Sequence, residues 1–149
     1  ADREHYHVMI EGDCNIVFGV HTMAENNSCL VRGKYAAHCR GLNTGSIGVA
    51  VCCMLGAKEV PFDGGTAPMK EEQWQKLAEV VAELGRLFSI PVKRETVLGH
   101  GEVQEVLGIP QFGKWDPLVL PWNPACPKHL VGDLFRSNVV QYLSSSNEK

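Results

Sequence analysis

Apolar positions along this chain switch between a period of two, unbroken runs and helical spacing, and each regime predicts a different element. Tyr6-His-Val-Met-Ile10 and Asn15-Ile-Val-Phe-Gly-Val20 are short β-prone runs flanking Glu11-Gly-Asp13, which predicts a hairpin starting almost at the first residue. From His21 to Gly45 the chain is polar and rich in Gly and Asn, too long for a tight connection, and is expected to be a functional loop. Ser46 to Cys53 is a nearly continuous apolar run, the pattern of a central strand covered on both faces. Trp74, Leu77, Val81, Leu84 and Phe88 then recur at spacings of three and four, which predicts an amphipathic helix with Thr66 as its N-cap and Ser89-Ile-Pro91 as its stop. Glu95 to His100 has the length of a buried strand that delivers His100 at its end. A Gly/Pro-rich loop runs from Gly99 to Pro127, and Val131, Phe135, Val139 and Tyr142 mark a second helix. This order predicts an α/β fold, a mixed central β-sheet flanked by helices, in one domain over residues 1–143 with a polar tail at 144–149.

Composition narrows the class. At 149 residues the chain is the size of a single core. With 14 Lys+Arg against 17 Asp+Glu and no basic run, it lacks the electrostatic footprint of a nucleic-acid binder. No stretch reaches the roughly 18 apolar residues of a membrane span, and the charged start Ala1-Asp-Arg-Glu-His5 is unlike a signal peptide, so cytoplasmic synthesis without an export signal is expected. The six cysteines include adjacent Cys52 and Cys53 inside an apolar run, which favours reduced, mostly buried thiols over a disulfide framework.

The candidate chemistry is metal-assisted hydrolysis. It needs His, Asp or Cys ligands held rigidly, an open position for water and a donor for the developing oxyanion. His100 at a strand end and Lys114-Trp-Asp116-Pro, in a loop stiffened by Pro110, Pro117 and Pro121, meet part of that requirement. Taken alone, a strand-end histidine is more often a satisfied structural residue than a ligand.

Tyr6-His7-Val-Met-Ile10, Glu11-Gly-Asp13, Asn15-Ile-Val17, Ala36-Ala-His38, Gly41-Leu-Asn43, Ser46-Ile-Gly-Val49, Leu98-Gly-His100 and Lys114-Trp-Asp-Pro117 occur in that order. This series resembles the zinc-dependent N-acetylmuramoyl-L-alanine amidases, the family of phage lysozyme-amidases and peptidoglycan recognition proteins, from about Tyr6 to Trp122. The resemblance implies zinc as cofactor and bacterial peptidoglycan as substrate, with cleavage between N-acetylmuramic acid and L-alanine of the stem peptide. It assigns His100 and Asp116 as zinc ligands, Lys114 as the group that stabilises the oxyanion, and Tyr6 as the tyrosine beside the reacting water. His38 and Asn43 fall in the loop that lines the substrate groove. It further implies a phage-type lysin acting at the cell wall.

One departure stands out. Relatives take a further zinc ligand from a histidine ending a strand roughly thirty residues before the Tyr-His pair, and here only Ala1 to His5 precede Tyr6. The chain is therefore expected to lack the family's first strand and helix, to recruit His5, His7 or His38 instead, or not to bind zinc in the family's way. The alternative function is a non-catalytic peptidoglycan-binding module of the same fold with an incomplete metal site; a cysteine hydrolase using Cys39 or Cys126 is a more distant one. Cys126-Pro-Lys-His129 has chelating spacing but no second pair, and Trp115 and Trp122 can either stack on sugars or pack the loop.

Overall fold

The computed structural model describes residues 2–27 and 29–145. Its centre is β1 (Val8–Ile10), three residues that are all buried. β2 (Ile16–Phe18) runs antiparallel beside it, with Val8 opposite Phe18 and Ile10 opposite Ile16. The Glu11 N–H donates to the Asn15 carbonyl at 2.9 Å and closes the intervening turn, in which Cys14 adopts a left-handed φ of 67°. The expected hairpin is present. A single helical turn, α1 (Met23–Asn26), follows, and the Glu25 carboxylate accepts the Thr22 N–H at its start.

β3 (Val49–Val51) pairs parallel with the other side of β1, giving the order β2-β1-β3. Two expectations change here. The run Ser46 to Cys53, expected at the centre of the sheet, supplies an edge, and β1 takes the centre. Glu95 to His100, expected as a buried strand, forms none. A strand exists through its ladder partners, and between β3 and residues 95–99 lies a cavity of about 1140 Å³ instead of a neighbouring chain. The Val8 N–H donates to the Gly48 carbonyl and the Cys52 N–H to the Ile10 carbonyl. That register turns the backbone groups of Ala50 toward β1 and those of Val49 and Val51 toward the cavity, where no strand among the described residues pairs with them.

α2 (Glu71–Leu87) covers the sheet. It begins after Lys70 and not after Thr66, because the Gln73 side chain reaches back to accept the Lys70 N–H at 3.1 Å. The same amide donates to the Glu11 carbonyl, pinning the helix to the end of β1. Val80, Leu77 and Leu84 pack on Val8, Ile10 and β3, while the small Ala78 and Ala82 let α4 (Lys128–Ser145) approach through Phe135, Val139 and Tyr142. Trp74 is buried at the junction, edge-on to Phe135, and its indole N–H donates to Asn138 at 2.9 Å. The rest of the predicted stripe is only partly covered. Leu77, Val81 and Leu84 face the cavity, and Phe88 is 47% exposed.

Among the described residues no helix is long and apolar enough to cross a membrane. All six cysteines are free, but only Cys39 is buried and Cys29 is exposed, so the expected burial of the thiols holds for one of them. α4 runs to Ser145, and residues 146–149 of the expected tail lie outside the described residues.

Candidate metal and substrate site

Tyr6, His38, His100 and Asp116, which come from four separate stretches of sequence, line the cavity together. His100 does not end a strand. It opens a 3-10 turn, His100–Glu102, that continues into α3 (Val103–Leu107). The turn is tied down at three points. Glu102 accepts the Gly99 N–H at 2.8 Å, Arg136 of α4 grips the same carboxylate, and the Gly101 N–H donates to the Asp116 carbonyl at 2.8 Å. The last bond joins the His100 turn to the Asp116 loop. Gly101 permits it, because a Cβ there would press on the Leu118 side chain at 2.8 Å and on the Trp115 backbone at 2.9 Å.

The result is a pair of donors. His100 Nδ1 lies 3.4 Å from Asp116 Oδ2, with the imidazole largely covered and the carboxylate exposed. Partial burial works against ionisation of Asp116, but the hydrogen bond and charge of His100, with Lys114 nearby, hold its carboxyl below the usual carboxylate range. An imidazole nitrogen and a carboxylate oxygen are zinc donors. Among the described residues, however, no three His, Cys, Asp or Glu side chains form a group that would hold a metal ion. The donor chemistry of His100 and Asp116 fits zinc; a third protein donor is not assembled with them.

The opposite wall is aromatic. The His38 ring stacks beside Tyr6, with centroids 6.4 Å apart, and meets His7 edge-on at 5.6 Å. Burial, followed by the proximity of His7, pushes the His38 imidazole down to about 4, so it is neutral at pH 7. Gly48 makes room for it, since any side chain there would collide with the His38 ring. Burial and then Asp116 raise the Tyr6 pKa, which keeps its hydroxyl a proton donor.

Asn43 and Lys114 are not among the residues that line the cavity. The Asn43 side chain accepts the Cys39 N–H at 2.9 Å and so shapes the loop that carries His38. Lys114 is exposed and near enough to act electrostatically on both Asp116 and Cys39. Ser46 donates to the Leu42 and Asn43 carbonyls, closing the same loop.

The chain matches the family model described as N-acetylmuramoyl-L-alanine amidase over residues 1–118, a span that contains Tyr6, His38, His100 and Asp116. It belongs to that family. Comparisons with curated proteins and with solved structures give no match. Family membership makes the chain a peptidoglycan amidase.

Of the three histidines considered as substitute donors in this amidase, only His38 lies beside the site. His5 is exposed and bonded to Asp2 at 2.6 Å. His7 is 2% exposed, and both ring nitrogens are engaged: Nδ1 accepts the Gly48 N–H at 3.0 Å, and Nε2 lies 3.1 Å from Asn26 Oδ1. Asn26 is a buried hub that also accepts the Ala36 N–H and donates to the Ala36 and Asn43 carbonyls. It had no signal in the sequence beyond its place in a polar loop, and neither did Gln111, whose buried side chain touches His100. Trp115 lines the cavity, whereas Trp122 packs edge-on against Trp74 in the core. Cys39 is no activated nucleophile, since burial and Asp116 push its thiol up, the opposite of what a thiolate needs.

Proposed function

We propose that this amidase hydrolyses the bond between the lactyl group of N-acetylmuramic acid and the stem-peptide L-alanine, with zinc held by His100 and Asp116, as a phage-type lysin acting at the cell wall. The observation that carries the reading is the 3.4 Å approach of His100 Nδ1 to Asp116 Oδ2 on the wall of a cavity of about 1140 Å³. Zinc bound there would supply Lewis-acid polarisation of the amide and water activation at neutral pH. The chain's own groups do the remaining work. Tyr6 presents a protonated hydroxyl to the oxygen on which negative charge develops, and Lys114 places an ammonium beside Asp116; one such donor contributes on the order of 3 kcal/mol to the transition state. His38, neutral and hydrogen-bonding, and the loop shaped by Asn43 hold the muropeptide. The third donor comes from His38 or from a strand seated in the groove between β3 and residues 95–99.

The test is release of stem peptide from a defined muropeptide, followed by mass spectrometry, with metal-stripped protein and with added zinc. Cleavage should vanish on stripping and return with zinc, and His100→Ala and Asp116→Ala should be inactive while remaining folded. Full activity after exhaustive metal removal would sink the zinc reading. A binding-only module is favoured by one observation, the absence of a three-donor group among the described residues. Muropeptide binding without turnover at saturating zinc would establish it.

A further inference from the structure

Gln111 is 5% exposed and is not among the residues that line the cavity, yet its side chain touches what stands behind both walls. Its amide nitrogen donates to the Arg40 carbonyl at 2.9 Å and lies 3.4 Å from the Ile109 carbonyl, so both hydrogens point at acceptors. The other end, Oε1, lies 2.9 Å from His100 Nε2 and accepts the Cys39 thiol at 3.5 Å. The nitrogen thus holds the loop that carries His38, and the oxygen reaches His100 on the facing wall. The Gln111 N–H donates to Gln104 of α3 at 2.9 Å, which fixes the residue from its own side.

The contact extends beyond one side chain. The Arg40 guanidinium lies 4.6 Å over the Phe112 ring, and Gly41 sits so close to Ile109 that a Cβ there would meet its Cγ2 at 2.9 Å. Residues 39–41 are seated along residues 109–112, and Gln111 is the buried member of this seam. The loop is pinned separately at its base, where the Asn26 side chain donates to the Ala36 and Asn43 carbonyls. The base fixes where the loop begins and ends, and the seam sets how far its tip stands from His100.

That spacing matters because the two walls have different tasks. His100 and Asp116 face the bond to be cleaved and His38 holds the muropeptide, so a substrate seated on one wall must be in register with the other. A misplacement of about 1 Å in such a register can cost on the order of 100-fold in rate. We propose that Gln111 is a positioning residue, a crossbar that fixes the spacing of the two walls. The proposal rests on the reading of these walls as the two sides of the amidase site.

Two measurements test it, steady-state hydrolysis of a defined muropeptide and deuterium exchange of the resting protein. Gln111→Met keeps the length of the side chain and removes its amide. Both kcat and kcat/KM should fall together by roughly 10–100-fold with KM unchanged. Uptake should rise over residues 36–46 while β1 stays protected. Gln111→Glu keeps an oxygen for His100 but loses the donor to the Arg40 carbonyl. Because the crossbar needs both ends, this variant should show the same rate loss and the same loosened loop, and it carries the test if Gln111→Met does not fold. A folded Gln111→Met with wild-type kcat or unchanged exchange over residues 36–46 overturns the proposal, as does a fully active Gln111→Glu. Exchange that rises equally in β1 overturns it too, since that marks a general loss of stability. A wild type that fails to cleave muropeptide refutes the amidase reading instead, and exchange alone then decides whether Gln111 ties the two walls.

Discussion

Arg136 holds Glu102 in a two-pronged ion pair, Nη2 to Oε1 at 2.8 Å and Nη1 to Oε2 at 3.1 Å, and both side chains are almost fully buried. The pair lies two residues beyond His100 and ties its turn to α4. Arg136 also donates to the Val97 carbonyl, and Glu102 accepts the Gly99 N–H, so the backbone on the approach to His100 hangs on the same two side chains. Arg136→Ala leaves the buried Glu102 carboxylate without a cation and should cost about 3–5 kcal/mol in urea denaturation, whereas Glu102→Ala should cost less, because Arg136 keeps its ion pair with Asp133 at 2.8 Å. Gly132→Ala should destabilise for a related reason, because its methyl group would collide with the Glu102 carboxylate.

His7 provides a contrasting test. With both ring nitrogens bonded in the core, His7→Phe leaves the Gly48 N–H without its acceptor and takes a partner from Asn26, a loss of about 1–3 kcal/mol for each orphaned group. The thermal midpoint should fall while zinc stoichiometry, measured by metal analysis, stays at the wild-type value. Loss of zinc with an unchanged midpoint would make His7 a ligand.

Two buried histidines set a pH dependence whose sign follows from their environment. Burial lowers the pKa of both His7 and His38 in the folded chain, the latter to about 4, below the unfolded histidine value. The unfolded chain therefore takes up protons first as pH falls. Their contribution to stability is complete above about pH 6.5 and is lost progressively from there toward pH 4. The thermal midpoint of metal-free protein should drop across that window, and His38→Gln should flatten the slope. A midpoint that rises on acidification would contradict this account.

What could be read in the sequence was local. The hairpin follows from two β-prone runs and a Gly-containing turn, and α2 and α4 follow from three-and-four spacing, because these patterns involve residues close in the chain. Strand order is non-local. Nothing in Ser46 to Cys53 distinguishes a centre from an edge, and Glu95 to His100 reads as a strand whether or not a neighbour exists to pair with it. The start of α2 was misplaced because Gln73, inside the helix, supplies the bond that Thr66 was expected to make.

At the site, the identities of Tyr6, His38, His100 and Asp116 were legible in short motifs, but their support was not. Asn26, Glu102 and Gln111 bond to partners from 10 to 72 residues away, which no spacing rule connects. Arg136 did leave a trace. It falls among Val131, Phe135 and Val139, and a charge on the buried side of a helix implies a partner across from it.

The open side of β3 should be visible in isotope labelling. The amides of Ala50 and Cys52 are tied to β1 and those of Val49 and Val51 are not, so deuterium uptake along this strand should alternate residue by residue, fast at 49 and 51 and slow at 50 and 52. Among the described residues the sheet therefore ends on an edge whose pairing state can be followed at two amides, 49 and 51, independently of the rest of the strand.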